Sequence, residues 1–137
     1  MKSEVDIRED VYKVIKGSAL EAAVTGKLCK SGKRPKYEPS ESPKEDITIN
    51  VLSSNIAQTQ EAIVNVNIYV KSVDRKGVQE VNDPRLRVLC QKAIEVLEVA
   101  HDEGFRIHLD KQRVFETEEP VGEHIINNRI IYNQTND

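Results

Sequence analysis

Two stretches of the chain alternate apolar and polar residues with a period of two. In the first, Ile47, Ile49 and Val51 alternate with Thr48 and Asn50; in the second, Val64, Val66, Ile68 and Val70 alternate with Asn65, Asn67 and Tyr69. That period puts the apolar residues on one face of a β-strand. The segment between them, SSNIAQTQ, is polar and short, so the strands are predicted to pair as an antiparallel hairpin. A second strand running from Glu61 to Lys71 is roughly 35 Å long at about 3.3 Å per residue, more than a small core needs, so one end is expected to project.

Helical spacing appears twice. Ile7, Val11, Val14 and Ile15 recur at the interval of a short amphipathic helix, with acids in its first turn and lysines in its last. Gly17 interrupts it, and Ser18 can cap a second short helix from Ala19 to Val24, stopped by Gly26; one kinked helix fits equally. The stronger signal begins at Asp83, read as N-cap with Pro84 in the first helical position. Leu86, Leu89, Cys90, Ala93, Ile94, Leu97 and Ala100 trace one stripe from there, and Gly104 is read as the end. Weaker strands are predicted over Phe105 to Leu109, Gln112 to Glu116 and Glu123 to Tyr132, the last apolar on both faces. Lys27 begins a possible short strand, and Ser72 to Asn82 reads as a loop.

These elements predict an α+β fold of order α-β-β-β-α-β-β. It is a mainly antiparallel sheet with a long hairpin, one long helix packed on one face and a short N-terminal helix. The chain has 137 residues, suited to one domain spanning 1–137. Its 38% hydrophobic and 31% charged residues, with two Phe and no Trp, leave the core to Val, Ile and Leu. The net charge of -3 argues against a surface built throughout for phosphate. No apolar run approaches the roughly 20 residues that span a bilayer, and the acidic start, MKSEVDIRED, does not resemble a signal peptide.

Candidate chemistry is sparse. Gly17, Gly26 and Gly32 are isolated and form no phosphate-binding loop. Cys29 and Cys90 belong to no metal-ligand spacing and are read as reduced thiols, Cys90 in the core. His101, Asp102, Glu103, His108 and Asp110 form the one grouping that suggests a metal, without a recognised ligand spacing. Asp46, Glu61 and Lys71 can be assembled into a nuclease-like set only after the fact. The reading is therefore no catalytic residues, no cofactor and no metal.

Interaction surfaces remain. The segment from residue 31 to residue 46 is a long loop carrying Pro35, Pro39 and Pro43, and the charge reverses along Lys27 to Asp46. Lys33, Arg34 and Lys36 come first, Glu45 and Asp46 last. Such a dipolar strip can pair head to tail with a copy of itself. Tyr37 within it can stack on a base, so nucleic-acid binding by the basic half is the alternative. Asn65, Asn67 and Tyr69, on the second face of their strand, suit hydrogen-bonded contact with another chain.

The N-terminal helix, Arg34-Pro35, the strand from Glu45-Asp46 to Asn50, a turn bearing Gln58 and Gln60, and the strand Val64 to Val70 together resemble tail-completion or tail-terminator proteins of tailed bacteriophages and prophages. The likeness covers nearly the whole chain through the long helix and the last strands. It implies an α+β subunit assembling into a homo-oligomeric ring, commonly of six, that ends the tail tube and joins it to the head connector. It further implies assembly in the bacterial cytoplasm, residence in the virion tail, and the quoted loop, turn and strand residues as contacts with neighbouring subunits or tail proteins. The alternative function is a small nucleic-acid-binding or processing protein of a mobile element.

Overall fold

The computed structural model of the chain describes residues 2–55, 61–102, 104–117 and 122–134. Helix α1 (Glu4–Ile15) begins at a capping box: the Ser3 hydroxyl accepts the Asp6 N–H and the Asp6 carboxylate accepts the Ser3 N–H, both at 3.1 Å. Ile7, Val11 and Ile15 face inward and are fully buried. Gly17, at φ 77°, breaks the chain into two helices rather than a kinked one, and Ser18 caps α2 (Ala19–Ala23).

Strand β1 (Leu28–Cys29) pairs in parallel with β2 (Ile47–Asn55), which runs antiparallel to β3 (Glu61–Lys71) as the alternation predicted. The turn with Gln58 and Gln60 lies outside the described residues. The loop expected over 72–82 contains a small separate ribbon, β4 (Val73–Arg75) with β5 (Val78–Glu80), turned at Lys76 and Gly77 with positive φ. Next come α3 (Asp83–Leu97), β6 (Val99–Asp102), β7 (Phe105–Glu116) and β8 (Glu123–Gln134). The main sheet is six-stranded and mixed, in the order β1-β2-β3-β8-β7-β6.

The order α-β-β-β-α-β-β is therefore too simple, and four boundaries differ from expectation. Asn82, not Asp83, caps α3: its side chain accepts the Arg85 N–H at 3.3 Å. The helix ends at Leu97, before Gly104, because Val99 to Asp102 pair with β7 instead of continuing the spiral. Ala100 thus belongs to a strand. Phe105–Glu116 is one strand, not two, because a register shift between Leu109 and Lys111 absorbs the polar interruption as a β-bulge. Gly26 is not a left-handed stop; its role is described below.

All three helices pack on one face of the sheet, where Ile47, Ile49, Val64, Val66, Ile68, Ile126 and Ile130 join Leu20, Leu89 and Leu97 in a single cluster. Residues 126, 128, 130 and 132 of β8 point into it, which settles the face of that strand. Asn128 is buried there but satisfied. Its amide donates to the Val66 carbonyl at 3.2 Å, and its oxygen accepts from Gln112, which also reaches the Cys90 carbonyl on α3.

Tyr132 locks α1 to the sheet. Its ring stacks on Phe105 at 5.5 Å, and its hydroxyl donates to Asp10 at 2.6 Å, where Lys2 also binds. Burial, then the Asp10 carboxylate, pushes the phenol well above its ordinary value. A phenol raised in the folded state contributes stability that is present below its unfolded value of about 10 and is lost as pH rises beyond it. Stability measured by urea melts is expected to fall above about pH 10, and Tyr132→Phe should cost about 1.5 kcal/mol at neutral pH while flattening that fall. A Tyr132→Phe profile as steep as wild type would assign the fall elsewhere.

Candidate functional site

The charge-reversing loop folds back onto its own sheet. Asp46, just before β2, and Thr48 and Asn50 on it face away from the helices, as do the odd positions of β3 and β8. Arg34 lies across one end of this open face. Its Nε meets Asp46 Oδ2 at 3.1 Å, its Nη1 meets Glu123 Oε1 at 2.8 Å, and its Nη2 donates to the Lys44 carbonyl at 2.8 Å. The guanidinium sits 4.0 Å from the centre of the Tyr69 ring and 5.4 Å from that of Tyr37. Asp46 is held further by the Tyr37 hydroxyl at 2.7 Å and the Lys27 N–H at 2.8 Å.

Both carboxylates are out of water, Asp46 at 0% and Glu123 at 2% exposure. Burial opposes the Arg34 charge, but hydrogen bonds and attraction from Glu123, then Asp46, outweigh it, and the guanidinium holds its proton more firmly than usual. Two carboxylates share this one guanidinium, and Glu123 Oε2 has no hydrogen-bond partner among the described residues. A cleft of about 650 Å³ opens beside the cluster, lined by Pro39, Pro43, Lys71 and Glu123 among others.

Glu45 is anchored separately. Arg85, from the first turn of α3, grips both its oxygens at 2.6 Å and also donates to the Ala23 carbonyl. The Glu45 carboxylate also accepts the Thr25 N–H at 3.1 Å. These contacts bring residues 25–27 so close to Glu45 and Asp46 that a Cβ on Gly26 would lie 2.3 Å from Asp46 Oδ1 and 2.4 Å from the Glu45 carbonyl oxygen. Absence of a side chain, not a positive φ, is what this glycine supplies.

Beyond the Arg34 anchor no described helix covers the open face. Ile63, Asn65 and Asn67 on β3 and Ile125, Arg129 and Ile131 on β8 are partly exposed there. Asn127 is buried and donates to Asn67 at 2.7 Å. Phe115, opposite Ile125 on β7, is 44% exposed, and Leu52, at the bulge in β2, is 57% exposed. Apolar side chains beside amides on a half-exposed sheet make a surface suited to protein contact.

The proposed contact residues thus separate into two groups. Arg34, Tyr37, Glu45, Asp46 and Tyr69 are engaged within the chain and define an anchor. Lys33 and Lys36 are exposed on the loop, Pro35 is half-buried, and Asn65 and Asn67 are on the open face. Sequence reasoning missed Glu123 and Arg85, whose partners lie 89 and 40 residues away, too far for any local pattern to show. It also passed over the cations of β7, although Phe105-Arg106-Ile107-His108-Leu109 alternates as plainly as β3. Among the described residues no group of three His, Cys, Asp or Glu side chains is placed to hold a metal, and no described helix is long and apolar enough to cross a membrane. No protein-family model matches this chain, and no curated protein matches it.

Proposed function

We propose that the chain is a structural assembly subunit of a phage or prophage tail. It forms a homo-oligomeric ring that ends the tail tube and meets the head connector. The observation carrying this reading is the open face of the sheet, where Ile63, Ile125 and Ile131 stand beside Asn65 and Asn67 with no described helix over them. The resemblance in element order supplies the kind of assembly. Contact is reassigned from the dipolar loop to this face, because Arg34, Glu45 and Asp46 are already paired within the chain.

Light scattering after size-exclusion chromatography should find a closed oligomer, alone or with tail-tube subunits. Ile63→Lys with Ile131→Lys should abolish assembly while leaving the far-UV spectrum intact. A monomer at high concentration with no affinity for tube subunits would overturn the reading. The competing function, nucleic-acid binding through the basic half of the loop, retains Lys33 and Lys36 but loses Arg34 to its two carboxylates.

A further inference from the structure

The open face is not uniform in charge. Cross-strand register places Arg106, His108, Lys111, Arg113 and Phe115 of β7 on the same face as Arg129 and Asn127 of β8. Arg106, Lys111 and Arg113 are exposed, and none has a carboxylate partner among the described residues. Arg129 stands 3.5 Å from Asp110, near enough for charge attraction, yet its buried Nε makes no hydrogen bond. Lys111 is directly opposite Arg129, an arrangement in which like charges destabilise a sheet. A chain of net charge -3 thus places three exposed cations on one face of β7, with Asp110 as the carboxylate beside Arg129.

We infer that the β7–β8 part of the open face binds the phosphate backbone of a nucleic acid. Alternate residues on a strand advance about 7 Å, so Arg106, His108, Lys111 and Arg113 present a row of donors roughly 23 Å long at about 3.3 Å per residue. A row of that kind can track a polyanion. Phe115 at its end, 44% exposed, offers a face for stacking. Phosphate is favoured over an acidic protein patch because Arg106, Lys111 and Arg113 follow one strand as an extended row instead of gathering in a compact cluster. A single chain carries the whole row, which lies on the strand next to the β3–β8 patch assigned to assembly.

Fluorescence anisotropy with labelled duplex and single-stranded oligonucleotides of mixed sequence provides the test, with polyglutamate as a competing polyanion. Wild-type protein should bind at low salt, and Lys111→Glu with Arg113→Glu should weaken binding about tenfold or more. The milder Lys111→Gln with Arg113→Gln, which keeps side-chain volume if the reversal fails to fold, should lower the magnitude of the salt slope on duplex by about two. Lys33→Glu with Lys36→Glu should leave affinity within about twofold, since those lysines lie off the β7 row. Absence of binding at low salt, or binding indifferent to the β7 substitutions, would overturn the inference. Equal competition by polyglutamate at matched charge would overturn it in favour of an acidic protein partner. Preference between the two oligonucleotide forms distinguishes a stacking surface from a duplex track, and either form bound through β7 supports the inference.

Discussion

Replacing Arg34 with alanine is expected to destabilise the fold by about 3–5 kcal/mol. The change leaves Asp46 and Glu123 buried with no guanidinium between them, and the cost is mainly that of uncompensated charge, not of lost attraction. In a urea melt the midpoint should drop by about 2 M if the slope is about 2 kcal/mol per molar. Arg34→Lys should recover only part of this, because a single ammonium cannot reach Asp46, Glu123 and the Lys44 carbonyl together while lying flat on Tyr69. A midpoint shift under about 0.5 M for Arg34→Ala would mean that the two carboxylates are solvated and the loop is not anchored.

Gly26→Ala should be nearly as damaging, by about 3 kcal/mol, although it adds only one methyl group to a half-buried connection. The new Cβ would meet the Glu45 carbonyl carbon at 2.6 Å as well as its oxygen, and backbone cannot yield as the end of a side chain does. Relief requires residues 25–27 to move away from Glu45 and Asp46, which breaks the Gly26 N–H bond to Glu45 and the Lys27 N–H bond to Asp46. Thermal melts of Gly17→Ala and Gly26→Ala separate the two roles. Gly17 has open space around it but φ of 77°, so its cost is conformational and closer to 1 kcal/mol. Equal costs at both positions would remove the steric account of Gly26.

The hairpin of β2 and β3 was readable because each strand buries one face only, and a period of two follows directly from that. Strand β8 was not, because Ile125 and Ile131 lie on the open face while Ile126 and Ile130 enter the core. Two apolar faces erase the alternation on which register depends. The end of α3 was misplaced for a different reason. Ala100 continues the helical stripe in sequence, but ladder bonds to β7 outweigh that local preference. The anchor of the loop was invisible because ionic partners brought together from distant strands leave no spacing to recognise, even though each residue is ordinary in its own neighbourhood.

The placement of β8 between β3 and β7 has a consequence for how the chain acquires its structure. The β3–β8 pairing joins residues such as Asn67 and Asn127, 60 apart, and Val66 and Asn128, 62 apart. Closing loops of that length costs chain entropy before any contact repays it, which slows the barrier crossing relative to local hairpins. During synthesis the β2–β3 hairpin leaves the ribosome with an unpaired edge along β3, which waits for β8 to be translated before it is paired. The interval is a window for misassociation between nascent chains and for chaperone capture.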